Sequence, residues 1–297
     1  MSETGASYRS GFIALVGRTN VGKSTLLNQL LGEKIAIISD KPQTTRTRIL
    51  GVKHLPDAQL IFLDTPGIHK PQFRLNQRMV RAALEVLDEV DLVFFLVEAT
   101  ERPGAGDRYV IERLKERQIP VILVINKVDL VQKAKLLPLI DAYRQMHSFL
   151  EIVPISALTG DGVDRLVELA LKAMPEGPVY FKDDMVTDQP MQVLAAELIR
   201  EKILYRTRDE LPFAVAVQIE SFKEDGQLAR ISAIVYVEKK SQKAIVIGKR
   251  GEILKAVGTE ARMDMERLFG MKVFLQLWVK VREGWRQDEQ MLTALGY

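Results

Sequence analysis

Short apolar runs and longer amphipathic stretches alternate along the first 175 residues of the chain. Continuous apolar runs are typical of buried strands in a parallel sheet, and apolar residues three or four positions apart are typical of helices. The predicted strands are Phe12–Val16, Leu60–Leu63, Leu92–Val97, Val121–Ile125 and Ile152–Ile155, and the predicted helices are Lys23–Leu31, Leu75–Val86, Asp107–Arg117, Lys135–Met146 and Val163–Ala173. This alternation predicts a doubly wound α/β domain over residues 1–175, with a mostly parallel sheet.

A different pattern follows the break at residues 175–178. The polar stretch 176–190 is predicted to be a linker. Beyond it the chain reads as a helix, two alternating strands, a helix, a third strand and a last helical stretch, at 191–205, 214–222, 229–238, 252–269, 272–282 and 285–295. This order predicts an α+β domain over residues 191–297. Trp278 lies on the last alternating strand and is predicted to be in the core.

Composition narrows the chemistry. The 297 residues suit two domains, and the absence of Cys excludes disulfides, Cys-ligated zinc, iron–sulfur clusters and thiol nucleophiles. No apolar run approaches the roughly 18–20 residues that cross a bilayer, and the N-terminus lacks a secretory signal. We therefore expect a cytoplasmic, non-spanning protein. The net charge is only +3, so the whole-chain charge says little about nucleic acid.

The strongest motif is Gly17-Arg-Thr-Asn-Val-Gly-Lys-Ser24, which matches GxxxxGK[ST] between a predicted strand and a predicted helix. Its glycines let backbone N–H groups surround phosphates at the positive end of a helix. Lys23 can reach the β- and γ-phosphates, and Ser24 can bind Mg²⁺. A chance match is the alternative, but the strand–loop–helix context disfavours it. The sequence predicts a P-loop for a nucleoside triphosphate.

A second element indicates the base. Asn126-Lys-Val-Asp129 follows a predicted strand, where parallel sheets bind ligands. A carboxylate at Asp129 can accept hydrogen bonds from N1 and the exocyclic amine of guanine, whereas adenine offers no such pair of donors. The alternative is a polar turn that starts a helix. Beside a P-loop, the four specified positions favour guanine recognition.

Three shorter segments complete the predicted site. Asp64-Thr-Pro-Gly67 ends a strand, where the acid can hold Mg²⁺ and the Gly67 N–H can sense a γ-phosphate. Thr44-Thr-Arg46 lies in a loop that triphosphate and Mg²⁺ can order. Ser156-Ala-Leu158 follows the last strand and can approach the base. The two Ser/Thr segments, Thr44–Arg46 and Ser156–Leu158, are on their own more often turns than sites, and the order of the segments along the chain changes that balance.

Together these segments resemble the five ordered signatures of translation-factor-class GTPases, and the Thr44–Arg46 and Asp64–Gly67 segments are similar to those of the Era family. The resemblance implies Mg²⁺ ligands at Ser24, Thr45 and Asp64, and catalytic roles for Lys23, Asn20, Thr45 and Gly67. It implies GTP or GDP contacts at Gly17, Arg18, Thr19, Asn20, Val21, Gly22, Lys23, Ser24, Thr25, Asp64, Thr65, Pro66, Gly67, Ile68, Asn126, Lys127, Val128, Asp129, Ser156, Ala157 and Leu158.

The residue that positions the attacking water is unusual. Many regulatory GTPases have Gln directly after the Asp–Gly element, whereas this chain has Ile68, which cannot polarise water. Asn20 resembles the position that holds K⁺ against the phosphates in relatives that lack the Gln. We expect slow intrinsic hydrolysis that is faster in K⁺ than in Na⁺. The alternative is that Asn20 only supports the turn.

The second domain carries a local basic segment. Residues 239–255 contain six Lys or Arg against one Glu, although residues 176–297 as a whole are neutral, with 19 of each sign. Within this segment Gly248-Lys-Arg-Gly251 is a GxxG element between two helices in an α–β–β–α–α–β order, which matches a type II KH domain. A solvated basic face is the alternative. The predicted RNA-binding residues are Lys239, Lys240, Lys243, Ile247, Gly248, Lys249, Arg250, Gly251 and Lys255.

A GTPase domain followed by one KH domain is the arrangement of the Era family. The resemblance implies a GTP switch that binds single-stranded RNA at the 3′ end of small-subunit ribosomal RNA and assists 30S maturation. It also implies a monomer that is linked to growth or cell-cycle control and associates peripherally with the inner membrane. The alternative function is a GTP-gated module whose basic KH surface binds an acidic protein.

Overall fold

The computed structural model describes residues 8–41, 43–68, 71–207, 211 and 213–297. Its chain divides into two compact units. Unit 1 contains the described residues up to 36, together with 45–68 and 79–188. Unit 2 contains 189–297 and two short segments from the first half of the sequence, within 37–44 and 71–78. No helix among the described residues is long and apolar enough to span a membrane.

Unit 1 is built on a six-stranded sheet with the order β2-β3-β1-β4-β5-β6. All neighbouring strands are parallel except β2, which runs antiparallel to β3 at one edge. The strands are β1 (Arg9–Gly17), β2 (Ile49–Leu55), β3 (Ala58–Asp64), β4 (Leu92–Glu98), β5 (Val121–Asn126) and β6 (Glu151–Pro154). The predicted doubly wound fold is confirmed, and the pattern reading missed only strand β2.

Helices cover both faces of this sheet. Alternate residues of β1 enter different cores: Ile13 and Leu15 pack into one, Ala14 and Val16 into the other. This two-sided burial explains why the strands read as continuous apolar runs. The helices are α1 (Lys23–Leu31), α2 (Arg74–Glu85), α3 (Ala105–Lys115), α4 (Leu136–Arg144) and α5 (Val163–Ala173). The first residues of α2 fall in the 71–78 segment of unit 2.

Most of the predicted linker lies in unit 1. The Gly177 N–H donates to the carbonyl of Tyr8, and the Val52 N–H on β2 donates to the carbonyl of Val186. The buried Gln59 side chain accepts hydrogen bonds from the backbone of residues 180 and 181. These contacts attach residues 177–186 to the sheet, which a polar composition alone did not indicate.

Unit 2 contains a three-stranded sheet with the order β7-β8-β9, of which the first pair is antiparallel and the second parallel. Its elements are α6 (Met191–Arg206), β7 (Ala216–Asp225), β8 (Leu228–Val237), α7 (Lys240–Ile247), α8 (Glu252–Phe269), β9 (Lys272–Val281) and α9 (Glu289–Ala294). This is the type II KH order. The spacing of apolar residues did not predict helix α7, and only the GxxG element, which lies between two helices, indicated it.

One face of this sheet forms the core of unit 2. Ile231, Ala233 and Val235 on β8 pack with residues of α6 and α8, including Ile199 and Val257. Trp278 points to the opposite face and is 57% exposed, so the prediction that it belongs to the core was wrong. On a strand, neighbouring side chains alternate between faces, and Trp278 has the parity of the outer one.

Helix α6 also holds the 37–44 segment of unit 2. The Ile38 N–H donates to Oε1 of Glu201 at 2.9 Å, and the guanidinium of Arg200 donates to the carbonyl of Thr44. Arg200 is fully buried and pairs with Glu197 on its own helix. A buried charge is tolerated only when it is paired, and here part of the pairing comes from a segment 156 residues earlier in the chain.

Candidate functional site

The carboxyl ends of parallel strands gather the predicted nucleotide site. Gly17 ends β1, Asp64 ends β3 and Asn126 ends β5, and Ser156 follows β6 by two residues. These strands are parallel members of one sheet, so their ends lie along the same edge. The loops that sequence reasoning selected separately are therefore neighbours in space.

Lys23 is a buried cation that hydrogen-bonds to backbone carbonyls of its own loop. Its Nζ donates to the carbonyl oxygens of Gly17 at 3.2 Å and Arg18 at 2.8 Å, and the residue is 6% exposed. Burial lowers the pKa of Lys23 to about 8, and the carboxylate of Asp64 partly offsets that effect. A cation whose hydrogen bonds go to neutral carbonyls is well placed to exchange them for phosphate oxygens.

Gly22 and Asn126 pack the phosphate loop against the predicted base-recognition segment, Asn126–Asp129. A Cβ at Gly22 would lie 2.2 Å from Nδ2 of Asn126, and Gly22 has the left-handed φ of 98° at the start of α1. The buried Asn126 side chain donates to the carbonyl of Val21 and accepts from the N–H of Ala157, at 2.8 and 2.9 Å. One amide thus connects three of the predicted segments.

Ser24, Thr45 and Asp64 form an oxygen cluster. The Ser24 Oγ lies 2.8 Å from Thr45 Oγ1 and donates to Asp64 Oδ2 at 2.7 Å, and Thr45 Oγ1 is 3.3 Å from the same carboxylate oxygen. Asp64 Oδ1 is buried and has no hydrogen-bond partner within the described parts of the chain. Burial raises the pKa of Asp64, although Lys23 and the two hydroxyls act in the opposite direction.

This cluster fits Mg²⁺. Magnesium takes oxygen ligands, usually one or two from carboxylates or hydroxyls, with water and substrate phosphates for the rest. Two hydroxyls and a carboxylate with an unsatisfied oxygen meet that description. Within the described residues, no group of three or more His, Cys, Asp or Glu side chains is placed to hold a metal ion by protein ligands alone.

Arg18 and Asn20, two residues within the phosphate loop, differ from Lys23 in their surroundings. Arg18 pairs with Asp107 at 3.2 Å and also with Glu101, so its side chain anchors the loop to the start of α3. Asn20 is exposed at the tip of the loop with a φ of 64°. Asn20 is therefore accessible to solvent, whereas the Arg18 side chain is held by two carboxylates.

The segment after β3 is largely structural. Thr65 is buried and donates through Oγ1 to the carbonyl of Leu15 at 2.8 Å. A Cβ at Gly67 would lie within 2.5–2.7 Å of Thr19, which places Gly67 directly against the phosphate loop. Ile68 is buried in an apolar core while its N–H donates to Gly17 at 3.1 Å. Ile68 therefore supplies no polar side chain for an attacking water.

The base-recognition segment is open. Lys127 adopts the left-handed conformation, and its Nζ lies 3.0 Å from Oε2 of Glu98 at the end of β4. Asp129 is exposed at the strand end, and Leu158 is also exposed. The buried Ser156 accepts from the Thr159 N–H at 3.2 Å and shapes the turn. Asp129 and Leu158, two of the predicted base contacts, are therefore accessible to a ligand.

The GxxG element of unit 2 forms an exposed turn between α7 and α8. Gly251 has a φ of 81° and open space where a Cβ would be, while a Cβ at Gly248 would strike Ile253. Lys249 and Arg250 are exposed between the two glycines. The remaining predicted cations, Lys239, Lys240 and Lys255, are also exposed, and Lys243 is half-buried.

An open groove with a volume of about 420 Å³ continues from this turn along α8, between α8 and β9. Gly258, in the middle of α8, leaves space beside Leu277 of β9, which is 3.5 Å from the position of a Cβ there. Sequence reasoning missed most of its lining. The spacing of three and four residues along α8 was the available signal, since it places these positions on one helix face. The missed lining residues are Leu254, Gly258, Thr259, Arg262, Leu275 and Leu277.

Family models match both units. Residues 12–127 match a model described as a 50S ribosome-binding GTPase, and residues 210–286 match a KH domain model. The chain is 57% identical over 292 residues to the GTPase Era of Geobacter metallireducens and 54% identical over 293 residues to that of Ruminiclostridium cellulolyticum. Each alignment covers 98% of this chain and 98% of the relative.

Two solved structures share the whole fold. One is a crystal structure of Era in complex with MgGDPNP and nucleotides 1506–1542 of 16S ribosomal RNA, with a TM-score of 0.95 and 45% identity over 98% of this chain and 99% of the other. The second is a variant of Aquifex aeolicus Era bound to GDP and AlF₄⁻, with a TM-score of 0.94 and 44% identity over 97% and 99% of the two chains.

Proposed function

The chain belongs to the Era family of GTPases, and from this we propose that it is a GTP-hydrolysing switch that binds single-stranded RNA near the 3′ end of small-subunit ribosomal RNA. The observation that carries the nucleotide half is the cluster of Lys23, Ser24, Thr45 and Asp64 at one sheet edge. The RNA half is supported by the exposed GxxG turn and its groove, and by the rRNA complex of a similar Era protein.

The phosphate loop binds the triphosphate in this proposal. The Lys23 ammonium leaves its two loop carbonyls for β- and γ-phosphate oxygens, and the N-terminus of α1 adds its positive end. Ser24, Thr45 and Asp64 hold Mg²⁺, which supplies neutralising charge between the β- and γ-phosphates when bound. Thr45 reaches this cluster from a loop, so the proposal is that triphosphate and Mg²⁺ keep this loop ordered through the Thr45 hydroxyl.

Hydrolysis is an in-line attack of water on the γ-phosphorus, which breaks its bond to the β–γ bridging oxygen and releases GDP, while the water proton leaves with the phosphate or solvent. Ile68 cannot orient that water, so we include in the proposal that K⁺, held by Asn20, assists charge neutralisation. Steady-state hydrolysis should be faster in KCl than in NaCl at equal ionic strength, and Asn20→Asp should alter that ratio. The same change at Asn28 on α1 would not serve as a control for Asn20→Asp. The Asn28 side chain accepts hydrogen bonds from the N–H groups of Ile35 and Ala36, so the change would also alter a structural contact. Equal wild-type rates in the two salts would remove the K⁺ part while leaving the GTPase assignment intact.

The RNA half has a direct test. In the full-length protein, Gly248→Asp with Gly251→Asp adds two negative charges and two side chains at the turn, and should reduce affinity for single-stranded RNA from the 3′ end of small-subunit rRNA by at least about tenfold, since clamp and phosphate contacts are lost together. Gly270→Asp is the matched control, because Gly270 also has a left-handed φ of 66° with open space around it but ends α8. Unchanged RNA affinity in the double variant would favour an acidic protein partner instead.

The family resemblance extends the proposal in four directions. It includes a role in 30S maturation, a link to growth or cell-cycle control, a monomeric state and peripheral contact with the inner membrane surface. The first follows from binding at the 3′ end of the small-subunit rRNA. Sedimentation of the chain with purified 30S subunits in GTP and GDP tests that step separately from binding to isolated RNA.

A further inference from the structure

The three-stranded sheet of unit 2 has a second face that its helices leave open. Side chains of even number on β8 and β9 point to this outer face, whereas those of odd number pack against α6 and α8. Phe274 is 47% exposed and Trp278 is 57% exposed on this face. Burying an aromatic ring stabilises a fold, so two large aromatic residues that stay exposed on one strand are the feature to explain.

The register aligns polar and basic groups with these rings. Lys223, Arg230 and Phe274 form one row across the three strands. The guanidinium of Arg230 lies over the Phe274 ring, 5.9 Å from its centroid, so a cation contacts one face of a ring that is still 47% exposed. Lys280 lies two residues beyond Trp278 on the same face and is exposed.

Hydrogen-bonding groups occupy the space between the rings. Phe274 and Trp278 are four residues apart on β9, or about 13 Å along the strand. Gln276 lies between them and accepts a hydrogen bond of 3.4 Å from Ser232 on β8. An amide between two aromatic rings can donate to and accept from the edge of a base.

The charge on this face favours an anionic occupant. Lys223, Arg230 and Lys280 are exposed along its rows, against Asp225 at the hairpin end and Glu220 at the bulge of β7. Exposed rings for bases and cations for phosphates are the combination that binds single-stranded nucleic acid on a sheet. An acidic protein would use the cations but would leave the two exposed rings unexplained.

We propose that this outer face is a second contact surface for single-stranded RNA, on which bases stack on Phe274 and Trp278 while Lys223, Arg230 and Lys280 meet the backbone. It is separate from the groove beside Gly251, which lies on the helix side of the sheet. The inference rests on the proposed RNA-binding function. A strand that occupies the groove can continue onto this face only if it is longer than the roughly four nucleotides that a KH clamp holds.

The test uses the full-length protein and two RNAs from the 3′ end of small-subunit rRNA, one of five nucleotides and one of fifteen. Phe274→Ala with Trp278→Ala should weaken binding of the longer RNA by about tenfold or more, because stacking contributes about 1–3 kcal/mol per base, and should leave the shorter RNA unaffected. Trp278→Phe should restore most of the loss due to Trp278→Ala, since a phenyl ring still stacks. Tyr205→Ala is the control, because Tyr205 is an exposed aromatic on α6 of the same unit.

Fluorescence gives an independent readout. The chain has two Trp residues, and Trp285 is buried with its indole N–H bonded to Ala214, so RNA-dependent quenching reports on Trp278. The longer RNA should quench the emission and the shorter should not. Equal loss of both RNAs in the alanine variant, or no loss of either, would overturn the proposal, and the second result would leave the face to a protein partner. If the wild type bound neither RNA, the proposed RNA function itself would fail.

Discussion

The phosphate loop of unit 1 and the GxxG turn of unit 2 both carry Lys side chains that we propose bind phosphate, but in opposite surroundings. Lys23 is buried against its own carbonyls and its pKa is lowered to about 8, whereas Lys249 and Arg250 stand in water. A desolvated cation interacts strongly and at short range, while an exposed one is screened by salt. The buried loop is therefore suited to one defined ligand, and the exposed turn to a mobile polymer.

The largest expected effect tests the buried side of this contrast. Lys23→Met removes the cation at similar length and should lower kcat/KM for GTP by about 10³-fold, because loss of one buried charge-stabilising donor costs 10²–10³ in rate. Lys172→Met on α5 removes an exposed cation of the same unit and is the control. Stopped-flow binding of a fluorescent GTP analogue and phosphate release measure the two steps. Retention of normal activity would show that the buried cation is structural.

The next effect asks whether selectivity requires burial. Asp129 is exposed, yet it is assigned the guanine edge. Asp129→Asn should lower GTP affinity by about 100-fold, because two hydrogen bonds to a charged acceptor contribute about 1.5–3 kcal/mol each. Xanthosine triphosphate should gain affinity, since its 2-carbonyl can accept from the new amide. Competition titrations with both nucleotides, and with Asp141→Asn as the control, measure the switch. Unchanged preference would move base recognition to another residue.

The pH dependence of nucleotide binding should reveal the lowered pKa of the buried Lys23. In the nucleotide-free protein Lys23 loses its proton near pH 8, and the phosphates bind the protonated form, so binding at higher pH must first restore that proton. GTP affinity should therefore fall by about tenfold between pH 7 and pH 9. The phosphates are already ionised in this range, since their second pKa is about 6.

Lys23→Arg supplies the control for that pH step. Arginine stays charged throughout, so this variant should show only the pH dependence that belongs to the nucleotide and to the rest of the site. Isothermal titration in buffers of different ionisation enthalpy should detect proton uptake in the wild type above pH 8. A wild-type profile that matches Lys23→Arg would mean that Lys23 remains protonated in the free loop.

The sequence predicted what depends on local spacing. Helices α1 and α8 begin and end at the predicted residues, because a glycine directly precedes and follows each of them. Strand β2 was missed because it is an antiparallel edge strand with the polar residues Lys53 and His54, so it lacks the apolar run of its neighbours. The nucleotide segments were predictable because a P-loop binds through backbone and fixed spacing.

What depends on tertiary packing was not predictable. The assignment of Trp278 to the core failed because alternation does not say which face of a sheet is covered. The buried Arg200 gave no signal either, since its partner Thr44 is distant in sequence. The groove lining beside Gly258 combines α8 with β9, and only the register of the fold brings these together.

The smallest effect tests the exposed side of the contrast. Lys249→Gln and Arg250→Gln should each weaken RNA binding only a few-fold at physiological salt, because each removes one screened phosphate contact. Each should also reduce the slope of log affinity against log salt by about 0.7, the value for one contact to a single strand. Lys133→Gln, an exposed residue of unit 1, should change neither quantity. Fluorescence anisotropy across a salt series measures both. A loss as large as that of Lys23→Met, with an unchanged salt slope, would mean that the turn binds by a buried contact after all, and the contrast between the two regions would collapse.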